Sequence, residues 1–179
     1  MWTRCTTAVN RARPSAAKEA IGRSRGGLTS KIHLACDGRG RPLSIVLTPG
    51  QASDGTHFDQ VMAGIRVPRL GRGRPRTRPD HLLADKAYAS KKIRESLRAR
   101  GISHTIPEKK DHQVNRRRRG SAGGRPPAFD AQLYKQRNVV ERCFNRLKQY
   151  RGLATRYAKR GHYYRSEVVI ASITIWLAT

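Results

Sequence analysis

Two short stretches near the start of the chain alternate between apolar and polar positions. Ile32, Leu34 and Cys36 fall on one face of residues 31–36, and Leu43, Ile45 and Leu47 repeat the pattern. Asp37-Gly38-Arg39-Gly40 lies between them and supplies turn residues, so the segment predicts a β-hairpin that Thr48-Pro49-Gly50 stops. The period then changes. Phe58, Val61, Met62 and Ile65 recur at helical spacing and predict a short helix over 57–65. Residues 81–84 read as a short buried strand ending at Asp85, and 91–99 as a helix with Ser90 as its N-cap. A weaker strand over 103–106 is closed by Pro107. The longest expected helix covers 131–149 with Asp130 to cap it, and a last apolar helix covers 166–178. Residues 2–9 could form a strand of their own. This alternation of strands and helices is an α/β pattern.

Charge changes the picture. The 179 residues carry 38 Lys and Arg against 12 Asp and Glu, a net charge of +26. Such a charge opposes compaction by self-repulsion and points to a polyanionic partner. It is also concentrated. Residues 66–79 hold Arg66, Arg69, Arg72, Arg74, Arg76 and Arg78 among Gly and Pro, with no acid between them. Residues 109–128 hold Arg116, Arg117, Arg118 and Arg119, then a Gly- and Pro-rich run. Neither block has apolar periodicity, and both are expected to be loops that meet phosphate rather than merely face solvent. Three widely spaced cysteines, Cys5, Cys36 and Cys143, match neither a zinc site nor a secreted disulfide framework. The longest apolar run, 168–177, is too short to cross a bilayer. With no basic-then-apolar leader, the expectation is a cytoplasmic, nucleoid-associated protein.

With so few acids, each can be weighed. On a continuous helix of about 100° per residue, Tyr134, Arg137, Glu141 and Lys148 share a stripe roughly 60° wide. Leu133, Val140, Phe144 and Leu147 form the adjacent core-facing stripe. A carboxylate at that edge could simply be neutralised by Arg137 four residues earlier, or it could do chemistry. The spacing Y-x2-R-x3-E-x6-K resembles that of bacterial insertion-sequence DDE transposases, and the chain looks closest to the insertion-sequence-five group of the insertion-sequence-four superfamily. Other segments are similar to that family in the same order: Gly22-Arg23-Ser24-Arg25-Gly26-Gly27-Leu28-Thr29-Ser30-Lys31-Ile32-His33, Leu47-Thr48-Pro49-Gly50, Leu83-Ala84-Asp85-Lys86-Ala87-Tyr88 and Gly124-Arg125-Pro126-Pro127.

The resemblance implies a ribonuclease-H-like mixed sheet flanked by helices, over 23–179. It implies Asp85 and Glu141 as catalytic acids that ligate Mg²⁺ or Mn²⁺, with Arg137 and Lys148 facing phosphate and Tyr134 facing DNA. Double-stranded DNA at transposon ends is the implied partner, together with a second copy or a full-length transposase. One departure stands out. The family carries an earlier aspartate on its first strand, in an Asp-Ser-Thr-like segment, yet no acid precedes Glu19 here. Residues 1–22 are therefore read as an atypical segment with the first strand missing or replaced, and the chain as a truncated or frame-disrupted copy. The alternatives are a non-catalytic basic nucleic-acid-binding protein or a fragment that inhibits transposition.

Overall fold

The computed structural model describes residues 4–6, 19–24 and 27–178. The chain divides into two compact units, residues 1–77 with 138–179, and residues 78–137.

In the larger unit the predicted hairpin is the organising element. Strand β3 (Gly27–Cys36) pairs antiparallel with β4 (Pro42–Pro49), setting Ile32 opposite Leu47 and Leu34 opposite Ile45. The turn is held by Asp37, whose carboxylate accepts from the backbone N–H groups of Arg39 and Arg41 and pairs with the Arg41 guanidinium at 2.6 Å. Gly40 sits at φ +80°, a conformation that a side chain would strain. β1 (Arg4–Thr6) and β2 (Gly22–Ser24) also pair antiparallel with β3, at residues 29–31 and 27–29. A strand within residues 2–9 is thus present, three residues long.

Because successive side chains alternate across a strand, β3 faces two environments. Ile32 and Leu34 join an apolar cluster with Cys143, Phe144, Leu147, Leu153, Tyr164, Val168, Ala171 and Ile175. Those residues come from α5 (Asn138–Lys148), α6 (Arg151–Thr155) and α7 (Gly161–Leu177). Lys31 and His33 point the other way, toward the segment leading into α1 (Phe58–Ala63). The predicted 57–65 helix is shorter than its apolar spacing suggests: His57 closes a 3-10 turn before it, and it ends at Ala63 with Gly64 as its C-cap. The arginine block after it is a loop closed by one bridge, in which Val67 and Arg76 exchange backbone hydrogen bonds of 2.9 and 2.8 Å.

The smaller unit is a βαβ arrangement. β5 (His81–Leu83) and β6 (Ser103–Thr105) run parallel, as a helical crossover allows, joined through α2 (Lys91–Ala99). Ser90 caps α2 as expected, its hydroxyl accepting from the Ile93 N–H. Tyr88, Ile93, Leu97, Ile102 and Ile106 are buried here. Buried beside them is Arg94, whose Nη2 donates to the Ile106 carbonyl at 2.8 Å.

Two expectations are corrected. The block at 109–128 is not all loop, since α3 (Lys110–Arg118) runs through it. Arg, Lys and Gln are good helix formers, and the Arg116 guanidinium reaches back to Glu108 with hydrogen bonds of 2.8 and 3.3 Å. The helix expected over 131–149 is two, α4 (Ala131–Lys135) and α5, separated by a turn at Gln136 and Arg137. There the N–H groups of Gln136 and Arg137 bond three residues back, to Leu133 and Tyr134. This turn is also where the two units divide.

Candidate functional site

Asp85 follows directly on the Ala84 that ends the apolar run of β5. Its backbone is extended, its Oδ1 accepts from the Lys86 N–H at 2.6 Å, and it caps a 3-10 turn over Lys86–Tyr88. The carboxylate is half-buried at the carboxyl end of a parallel strand. In open parallel sheets that is the end where ligands bind. Lys86 beside it is exposed, and Tyr88 is buried in the unit's core.

Tyr134 and Arg137 belong to this same unit. Asp130 starts α4 by accepting from the N–H groups of Gln132 and Leu133. The Arg137 guanidinium lies over the Tyr134 ring at 5.4 Å, and Phe129, from the loop before α4, meets that ring at 5.3 Å between centroids. The turn at residues 136–137 breaks the continuous helix that a stripe shared by all four residues requires. Only Glu141 and Lys148 keep that relation, both on α5 and seven residues apart, which is about two turns. Glu141 is half-buried and Lys148 exposed. Of the expected apolar stripe, Phe144 and Leu147 are buried in the core and Val140 packs against it, whereas Leu133 lies on α4 in the other unit.

α5 also carries something the spacing of cysteines hid. Cys143 and Cys36 meet through a thiol hydrogen bond at the edge of the core; that bond, and then burial, push the Cys36 thiol up. Both are free thiols.

The four consecutive arginines are not equivalent. Arg116 is bound to Glu108, and the guanidinium hydrogen bond holds that carboxyl below the usual carboxylate range. Arg117, Arg118 and Arg119, which close α3 and begin the turn after it, are all exposed. The smaller unit also contains a basic cleft of about 910 Å³ that sequence reasoning missed. Arg94, Arg98 and Arg125 line it with His81 and His104. Burial first, then the charges of Arg94 and Arg98, keep the His104 imidazole below its ordinary pKa. The signal was scattered: Arg94 and Arg98 come from α2, outside both arginine blocks, and Arg125 from the loop before α4, at the end of the second block.

Behind the hairpin, polar side chains are buried in a row. Lys31 Nζ meets Asp54 Oδ1 at 2.8 Å and donates to the Ala52 carbonyl at 2.6 Å. His33 Nε2 and the Thr48 hydroxyl share a 2.6 Å hydrogen bond, and His57 stacks on His33 at 4.9 Å. Burial, with His57 and Lys31 adding to it, pushes the His33 pKa down to about 3, so the ring is neutral at pH 7. Among the described residues no three His, Cys, Asp or Glu side chains cluster as metal ligands. No helix among them is long and apolar enough to cross a membrane.

Known proteins resemble this chain in sequence. Residues 4–164 match the profile described as the transposase DDE domain. The chain is 32% identical over 150 residues to a protein of Brucella ovis named as the transposase of insertion sequence element IS6501, covering 84% of this chain and 99% of that one. It is 33% identical over 148 residues to a protein of Burkholderia cepacia named as the transposase of element IS402, covering 83% of this chain and 62% of that one. No solved structure matches. With the family profile running from β1 into α7, and through both Asp85 and Glu141, this chain belongs to the DDE transposases of insertion sequences.

Proposed function

We propose that Asp85 and Glu141 are two acids of a DNA-cutting and joining site, and that this chain binds DNA but is catalytically incomplete as it stands. The observation that carries the reading is Asp85, a half-buried carboxylate at the carboxyl end of β5, where a parallel sheet offers its ligand site. Glu141 supports it, half-buried beside the apolar stripe of α5 with Lys148 on the same face.

Carboxylate oxygens suit Mg²⁺ or Mn²⁺, which keep open positions for phosphate oxygens. Asp85 and Glu141 would hold such ions. A bound pair of divalent cations supplies activation of the attacking hydroxyl and stabilisation of the leaving oxygen. The other side chains do the positioning: Lys148 and Arg137 meet phosphate oxygens, and Tyr134 orients the DNA. With two acids rather than three, such ions would be held less firmly and the reacting groups positioned less well. The partner is duplex DNA at transposon ends, bound at the nucleoid either by a second copy or alongside a full-length transposase.

A second reading, a non-catalytic DNA-binding or inhibitory fragment, is favoured by the net charge of +26. One experiment separates the two. Purified protein and an Asp85→Ala variant are given Mn²⁺ and an end fragment of the element, and both metal binding and cleavage are followed. We expect no cleavage by either, and weaker Mn²⁺ binding by the variant. Equal Mn²⁺ binding would refute the role of Asp85 and leave the second reading. Cleavage by the unmodified chain would refute its incompleteness.

A further inference from the structure

The arginine block after α1 has a form that phosphate contact alone does not require. The Val67–Arg76 bridge closes it at its base, and every residue from 68 to 75 is exposed. From Gly71 to Arg76 arginine alternates with glycine and proline, as Gly71-Arg72-Gly73-Arg74-Pro75-Arg76. Packing within the protein does not demand either glycine. A Cβ added at Gly71 would meet nothing within 4 Å, and one at Gly73 only the Arg69 Cδ at 3.8 Å. Gly73 does sit at φ +143°, a backbone conformation that a side chain would strain. Among the described residues the guanidinium groups of Arg72 and Arg74 meet no carboxylate, in contrast to Arg116. Leu70, at the same tip, is fully exposed.

These features suit the floor of a DNA minor groove. In B-form DNA that groove is about 6 Å wide, too narrow for a helix such as α3 but open to a backbone that carries little bulk between its arginines. A·T pairs present only acceptors there, adenine N3 and thymine O2, whereas a G·C pair adds the guanine N2 amino donor. A guanidinium has donors and no acceptor, so it bonds to the first floor and is opposed by the second. A·T tracts also narrow the groove and deepen its negative potential, which draws arginine in. Proteins that enter this groove often press an apolar side chain against the base steps, and Leu70 offers one. Arg117, Arg118 and Arg119 have none of this spacing, since they follow one another without a break at the end of a helix.

We propose that residues 69–76 read the minor groove of A·T-rich duplex DNA. Arg72 and Arg74 are the reading side chains, and Gly71 and Gly73 let the backbone approach. The site rests on the reading of duplex DNA as the partner, and not on the assignment of Asp85 or Glu141. It gives the chain a preference for base composition, separate from phosphate contacts made elsewhere.

The full chain is titrated by fluorescence anisotropy, at one salt concentration, against three duplexes of equal length. Their central blocks are A·T, G·C and inosine·cytosine. Inosine lacks the N2 amino group, so its pair with cytosine joins an A·T-like minor groove to a G·C-like major groove. The A·T and inosine·cytosine duplexes are expected to bind roughly fivefold or more tighter than the G·C duplex, the order of one mismatched base pair. Netropsin, which fills the A·T minor groove, should displace the protein from the A·T block. Arg72→Ala with Arg74→Ala should abolish the preference, and the fold should survive because residues 68–75 hold no core side chain. The joint Arg117→Ala, Arg118→Ala and Arg119→Ala variant should weaken binding to all three duplexes alike. Equal affinity for the three duplexes overturns the inference and leaves DNA binding itself standing. So does a preference that inosine·cytosine does not share, one that netropsin does not disturb, or one that survives in the Arg72 and Arg74 variant. Failure to bind any duplex at low salt overturns both.

Discussion

The two units reach stability by different routes. The larger one has a ten-residue strand with an apolar cluster on one face, built from three helices distant in sequence. The smaller one has two three-residue strands and one crossing helix, and it buries an arginine among its aliphatic side chains. Hydrophobic burial scales with area, so the larger cluster contributes more of it, while both units also bury hydrogen-bonded charges, Arg94 in the smaller and Glu19, Lys31 and Arg156 in the larger. The difference teaches where the cations can act. In the smaller unit Arg94, Arg98 and Arg125 line a cleft, and Arg94 is part of the fold as well. In the larger unit Lys31 and Arg156 are buried on hydrogen-bonding partners, while Lys148 stays on the surface of α5.

The comparison can be broken most forcefully in the larger core. Phe144→Ala removes an aromatic ring from the cluster under β3 and is expected to cost about 3–5 kcal/mol, and Leu97→Ala in the smaller unit about 2–5 kcal/mol. Urea unfolding followed by circular dichroism measures both. A negligible loss for Phe144→Ala would mean that the cluster does not hold the larger unit together.

Acid should sharpen the contrast next. His33 has a folded pKa of about 3 against an ordinary 6.5, so the unfolded chain binds the extra proton first. Its contribution to stability is fully present above pH 6.5 and is lost as pH falls toward 3, by up to about 1.4 kcal/mol per pH unit. His33→Gln should flatten that slope in a series of melts between about pH 7 and pH 4. An unchanged slope would assign the acid sensitivity elsewhere.

The smallest effect separates arginines that sit side by side. Neutralising Arg117, Arg118 and Arg119 together should lower the salt dependence of duplex binding, by about 0.9 in the logarithmic slope for each phosphate no longer neutralised. Arg116→Ala should leave that slope nearly unchanged and weaken α3 instead, because its guanidinium is engaged by Glu108. Fluorescence anisotropy at several salt concentrations reads the slopes. Equal slopes for the two variants would show that the pairing with Glu108 does not decide which arginine meets DNA.

What the amino-acid sequence determined by itself was local. The alternation of 31–36 and 43–47 set the hairpin and its register, and Asp37 and Gly40 set its turn, because strand pairing across a short turn is fixed by side-chain period and turn chemistry. Ser90 and Asp130 marked helix starts because a cap acts within three residues. Asp85 and Glu141 stood out because the acids were few and the spacing around them matched a known pattern. Tertiary structure decided what depends on partners far along the chain. The commitment of Glu19 to Gly161 spans 142 residues, and the meeting of Cys36 with Cys143 rests on how α5 packs against β3. The turn at Gln136 and Arg137 has no Pro or Gly to announce it. It lies where the chain passes from one unit to the other, and packing into two separate cores overrides the good helix preference of the residues between them.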